Sequence, residues 1–234
     1  GGISLKPAHG SIEIMKSDMA GAAAVLACMK AIAKLMPPVE VTGYIPAVEN
    51  MPDGGAFKPG DIYKAHSGKT IEVLDMDAEG RLILADAISY ATGHNPDVIV
   101  DIATLTGGTL YCCGELFTII LGNDQKIMDK LKKAAESCGE YMWQLPIVEQ
   151  YKKGYTSGIA DLNNTGKGKA QTILGALFLR EFVKKIPWAH MDIAASSWTD
   201  EELPTSQKGA TGATVRTLIS FVTGFKKTIS DQAD

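Results

Sequence analysis

Two short apolar runs, residues 98–103 and 116–121, constrain this chain more than any other feature. Each has the length of a strand and lacks the regular polar alternation of a sheet with one wet face. Strands of that kind are buried on both sides, which requires helices above and below them. The sequence supplies the helices. Residues 19–36 are rich in Ala, Leu and Met at helical spacing and stop at Pro37-Pro38, and residues 82–91 return to that spacing. Residues 124 to about 137, 170–185 and 214–225 complete the helical set. Residues 39–45, 70–74 and 188–194 read as further strands, and the turn-rich stretch between Pro46 and Gly68 predicts a long loop. Strands alternating with helices predict an α/β fold, a three-layer α-β-α sandwich around a mixed, mostly parallel sheet. There is no internal repeat, no low-complexity linker and no sign of a second domain, so residues 1–234 read as one unit.

Composition narrows the function classes. With 23 basic and 27 acidic side chains, the net charge of −4 gives no reason to expect nucleic acid or an anionic membrane as partner. No apolar run approaches the roughly 18–20 residues of a membrane span. Cys28, Cys112, Cys113 and Cys138 form no CxxC pair, which predicts reduced thiols and a cytoplasmic protein. The opening Gly1-Gly2-Ile3-Ser4 has neither an initiator methionine nor a signal-like segment, and reads as part of something longer.

The densest chemistry is Asp75-Met76-Asp77-Ala78-Glu79-Gly80-Arg81, between a predicted strand and a predicted helix. Carboxylates this close repel one another unless a cation or strong donors offset them. In open α/β sheets, ligands bind in the crevice at the carboxyl ends of strands. Hard divalent cations suit such a set, and so does a solvated acidic turn favoured by the helix dipole. A calcium loop nearly fits from Asp75 to Asp86. It fails because Glu stands at its fifth position, Asp at its twelfth, and a strand rather than a helix precedes it. Asp18 stands before the Ala-rich helix, where an aspartate is ordinarily an N-cap, and Lys6 is by default a surface lysine. Ser67-Gly68-Lys69-Thr70 matches the tail of a phosphate loop, but Tyr63 falls where its first glycine belongs. His9, His66, His94 and His190 show no paired metal spacing and read as structural.

Taken together, these stretches resemble the leucyl aminopeptidase (cytosol aminopeptidase) family, in its C-terminal catalytic domain. Asp77-Ala78-Glu79-Gly80-Arg81-Leu82 with Ala85-Asp86 is similar to its metal-binding signature. Collinear matches include Ile3-Ser4-Leu5-Lys6-Pro7, Met15-Lys16-Ser17-Asp18-Met19, Ala103-Thr104-Leu105-Thr106-Gly107 and Ile159-Ala160-Asp161-Leu162-Asn163-Asn164. Two more are Trp188-Ala189-His190-Met191-Asp192-Ile193-Ala194 and Gly212-Ala213-Thr214-Val215-Arg216.

The resemblance implies an aminopeptidase that releases N-terminal residues, leucine-like ones preferred, by water activated on two divalent ions. Those ions are zinc or manganese, with magnesium or cobalt as alternatives. Asp18, Asp77 and Glu79 are implied as metal ligands, and Lys6 as the lysine that polarises the scissile carbonyl. Arg81 is implied as the holder of a bicarbonate ion. Met15, Asp75, Thr104, Leu105, Gly107 and Ala194 lie where the family shapes its substrate pocket. A homohexamer with peptide substrates is implied as well. The family also carries a lysine and a bridging aspartate ligand just upstream of a Gly-Gly pair like Gly1-Gly2, together with at least one strand and an N-terminal domain. On that basis the longer parent is expected to be an enzyme, and these 234 residues alone to bind metal poorly and be inactive. Asp75-Met76 replaces the family's usual Asn-Thr, adding a charge where an amide contacts substrate. Two other functions stay open: a non-catalytic relative serving as a binding or assembly subunit, and DNA binding, against which the acidic balance argues.

Overall fold

The computed structural model describes residues 1–7, 12–166 and 168–225. The first half contains α1 (Ala20–Leu35), β1 (Asp61–Lys64), β2 (Thr70–Val73), α2 (Gly80–Thr92), β3 (Ile99–Ala103), α3 (Gly108–Cys113) and β4 (Phe117–Gly122). The second half adds α4 (Gln125–Ser137), β5 (Tyr141–Gln144), β6 (Leu162–Asn163), α5 (Gln171–Val183), β7 (Trp188–Asp192), β8 (Trp198–Thr199), β9 (Gly209–Ala210) and α6 (Val215–Thr223). Tighter 3-10 turns cover Ile12–Ser17, Met76–Ala78 and Glu149–Tyr155.

The main sheet has four strands in the order β3-β7-β4-β5. β7 runs parallel to β3 and antiparallel to β4, and β4 runs parallel to β5. Successive side chains leave opposite faces, so Ile119 and Leu121 enter one core while Ile120 enters the other. The first core joins Trp188 to α2 and α5 through Leu84, Ile88, Leu177 and Phe178. The second joins Ile102 and Met191 to α1, α4 and α6 through Ile32, Leu131 and Leu218. Helices therefore cover both faces of a mixed sheet, as the doubly buried runs predicted. A smaller sheet, β1-β2-β6, pairs β1 with β2 antiparallel and β2 with β6 parallel.

Local chemistry sets the ends of these elements. The Asp124 carboxylate accepts the Ile127 N–H and caps α4. α1 closes on Met36 in the left-handed region (φ 48°), just before Pro37-Pro38. α1 also crosses β3 so closely that a Cβ on Gly21 would stand 2.2 Å from the Ile102 carbonyl oxygen. Only glycine permits that approach, which brings the start of α1 against the end of β3.

Some expectations change. Residues 39–45 form no strand. Their alternation reports burial of one side, since Val41 packs on the second core, and burial alone does not supply a ladder partner. The expected loop between Pro46 and Gly68 contains β1, which exists because β2 pairs with it. β5 went unread because an edge strand with Tyr141 and Trp143 exposed lacks an apolar run.

Glu140 makes a contact that sequence distance hides. Its side chain, 12% exposed, accepts the backbone N–H groups of Thr214 (3.1 Å) and Thr217 (2.9 Å) and the Thr217 hydroxyl (2.5 Å). A carboxylate there satisfies free donors at the N-terminus of α6 and faces the positive end of its dipole. Glu140→Ala is expected to lower unfolding free energy by about 1.5–3 kcal/mol, the range for hydrogen bonds to a charged group. Urea denaturation followed by circular dichroism measures it; an unchanged midpoint would mean that water replaces the carboxylate.

Candidate metal centre

The acidic turn links β2 to α2. Asp75 is extended (φ −135°, ψ 123°), and its carboxylate accepts the Asp77 N–H at 2.9 Å, closing the turn Met76–Ala78. The buried Met76 side chain anchors that turn in the first core. Asp77 and Glu79 thereby stand at the N-terminal end of α2, where the dipole favours negative charge.

The charges around the turn are unevenly matched. Lys6 Nζ donates to both Asp77 oxygens, at 2.5 and 2.6 Å. Glu79 has no such partner: its Oε2 is buried without a hydrogen bond. Burial pushes the Glu79 carboxyl above its ordinary range, and the charges of Asp18 and Asp77 push it further, against an opposing backbone hydrogen bond. Asp18 is exposed and accepts the Thr104 hydroxyl at 2.6 Å. Arg81 is buried; one terminal nitrogen donates to the Thr165 carbonyl (3.2 Å) and the Tyr155 hydroxyl (3.4 Å), while Nε is buried without a partner. Burial pushes the Tyr155 phenol far up despite Arg81, so it stays neutral.

Lys6, Asp18, Asp75, Asp77, Glu79 and Arg81 line one cavity of about 1280 Å³. Thr104, Leu105 and Gly107 line it too, whereas Met15, on the turn Ile12–Ser17, and Ala194, after β7, do not. Among the described residues, no three carboxylate, imidazole or thiol groups are gathered closely enough to enclose a cation as they stand. The donor set nevertheless suits a hard cation. Glu79 offers an unsatisfied buried oxygen, and an ammonium already stands in for positive charge at Asp77.

The wall opposite depends on a residue whose role the sequence left unread. Asp192, fully buried, accepts the N–H groups of Leu105 (3.1 Å), Thr106 (3.3 Å) and Ala194 (3.2 Å) on Oδ1, and the Thr106 hydroxyl (2.6 Å) on Oδ2. It ties together the segments leaving β3 and β7, and so places Thr104 against Asp18. His190, one pleat back, bonds Asp101 at 2.6 Å and is fully buried, a structural role as expected. Tyr155 also escaped notice, and Asn164 was read only as part of a matching stretch, because segments far away in sequence bring them to the site.

The sequence model described as the cytosol aminopeptidase family, catalytic domain, matches residues 1–219. The chain belongs to the cytosol aminopeptidase family. A probable cytosol aminopeptidase of Geobacter sp. (strain M21) is 49% identical over 222 residues, covering 95% of this chain and 45% of that protein. One from Solibacter usitatus (strain Ellin6076) is 49% identical over 226 residues, covering 97% of this chain and 47% of the relative. Among solved structures, the bottromycin maturation enzyme BotP in complex with Mn superposes with a TM-score of 0.91 at 39% identity, covering 95% of this chain and 50% of that one. The chain thus spans about half the length of the relatives it matches. Among its described residues, no helix is long and apolar enough to cross a membrane.

Proposed function

We propose that this chain carries the catalytic face of a metal-dependent aminopeptidase that removes N-terminal, leucine-like residues from peptides in the cytoplasm, working as a homohexamer. The observation that carries the reading is Glu79, whose buried, unpartnered oxygen faces the charges of Asp18 and Asp77 in the cavity shared with Lys6 and Arg81. Asp18, Asp77 and Glu79 would hold divalent ions, manganese or zinc, and manganese is the ion in the complex of the structurally similar BotP. Such ions, as a pair, acidify a bound water and offset charge on the attacked carbonyl oxygen.

The remaining chemistry belongs to the chain. Lys6, released from Asp77, donates to the oxygen of the scissile carbonyl, where positive charge counts most as the oxygen becomes an anion. Arg81 would hold bicarbonate through the planar donors its protein partners leave free, and the bound anion would supply a general base beside the metal site. Thr104, Leu105 and Gly107, with Met15, Asp75 and Ala194 at the margins, shape the pocket for the first side chain. An apolar wall there discriminates weakly between side chains differing by one methylene.

Lys6 tests the reading because its two roles oppose each other. In the metal-free chain it competes with a cation for Asp77. Manganese titration, followed by electron paramagnetic resonance of the free ion, is expected to show weak binding, since three carboxylates leave most of the ion's oxygen sites to water. Lys6→Met is expected to tighten binding by about 10-fold, the factor given by about 1.4 kcal/mol of relieved competition. Absence of manganese binding in both proteins would overturn the proposal.

A further inference from the structure

We infer that Asn164 is a positioning residue, whose side-chain amide sets where the turn carrying Asp77 and Glu79 stands; its link to metal rests on the function proposed above. Asn164 directly follows β6 and is 0% exposed. Its Oδ1 accepts the N–H of Leu74 at 2.8 Å and of Asp75 at 3.3 Å. Its Nδ2 donates to the carbonyls of Asp75 at 2.6 Å and Ala78 at 3.4 Å. One planar group therefore spans the turn from the end of β2 to the residue before Glu79. Reversing the amide would set oxygen against two carbonyls and NH₂ against two N–H groups, so its orientation is determined by its surroundings.

The residue type matters as much as the contact. Two donors and two acceptor sites are all that an asparagine amide has, and here all four are engaged with backbone. Ionised aspartate would supply acceptors only, and leucine nothing. The Asn164 N–H also donates to the Glu72 carbonyl at 3.1 Å, so the amide is anchored to β2 as well as to the turn. Displacement passes onward to a proposed ligand, because Asp75, held at both its N–H and its carbonyl, in turn holds the Asp77 N–H. The adjacent Asn163 acts in parallel on Arg81. Its Oδ1 accepts the Thr165 and Gly166 N–H groups at 3.1 Å, fixing the residue whose carbonyl receives Arg81. Neither asparagine is expected to touch substrate or ion. Both set the geometry of groups that do.

The test replaces Asn164 with aspartate and with serine in this chain and uses manganese alone as the probe. Asn164→Asp keeps the shape and adds a negative charge, which by itself would attract a cation. Affinity is nevertheless expected to fall about 10-fold or more, the range seen when outer-shell partners of metal ligands are removed. Amide hydrogen exchange at residues 75–79 is expected to speed up, and to a smaller extent in Asn164→Ser, which retains one donor. Glu140→Ala, destabilised at a distant site, is expected to leave both readouts unchanged, separating positioning from loss of stability. Unaltered exchange at 75–79 in both Asn164 variants overturns the inference, as does wild-type manganese affinity in both. If the wild type itself fails to bind manganese, the metal reading falls. Exchange then decides the positioning role by itself: faster exchange confined to 75–79 upholds it, and unchanged exchange ends it.

Discussion

His190→Leu is expected to lower the unfolding free energy at neutral pH by about 3–5 kcal/mol, the penalty for stranding a buried charge. His190 is fully buried on β7, opposite Asp101 on β3, and its Nδ1 donates to Asp101 Oδ1 at 2.6 Å. Asp101 also accepts the Trp188 indole N–H at 2.6 Å, and Asp192 Oδ2 stands 4.0 Å from His190 Nε2. Burial by itself would pull the imidazole pKa down. Asp101, with help from Asp192, overrides burial and raises it to about 10 from the ordinary 6.5. The sign follows: the contribution is fully present below about pH 6.5 and is lost as pH rises through about 10. Denaturant midpoints across this range should show wild type and His190→Leu far apart at pH 6 and drawing together toward pH 10. A gap independent of pH would mean that His190 is neutral in the fold. In Asp101→Asn/His190→Leu, which removes both charges, the loss should be smaller than the sum of the single losses. The consequence reaches the site, because Asp192 holds the backbone of Leu105 and Thr106.

The second large effect runs in opposite directions for stability and for binding. Glu79→Gln is expected to reduce manganese affinity by at least about 100-fold, at or beyond the top of the range for losing only an outer-shell partner. The same substitution is expected to raise the melting temperature of the metal-free chain. It removes a carboxylate that has a buried, unbonded oxygen and repulsion from Asp18 and Asp77. Natural sites commonly sacrifice stability in this way for function. Calorimetric melting of the metal-free proteins, paired with manganese titration, gives both signs. A melting temperature that falls would show that Glu79 is a structural residue.

The layered architecture was legible because its cause is local. Residues 98–103 and 116–121 lack a wet face, and strands of that kind exist only between helices. α4 is announced by Asp124 before an amphipathic run, and α1 by small and apolar residues ending at Pro37-Pro38. β1 and β5 were not legible, since each is four residues long and borrows its conformation from a neighbour. Residues 39–45 erred the other way, with a pattern suited to a strand but no ladder partner.

For the site, the chain by itself determined which groups are present and what chemistry they suit. The acidic run from Asp75 to Glu79 supplies carboxylates that suit a hard cation or a solvated turn at a helix N-terminus alike. Tertiary structure decided which of these groups are satisfied. Asp77 is paired by Lys6 from 71 residues away, Glu79 is left with a bare buried oxygen, and Asn164 arrives from β6 to hold the turn between them. The reason is physical: a carboxylate's type is written in its residue, but its solvation and partners depend on which distant backbone and side chains the packed sheet brings within hydrogen-bonding distance.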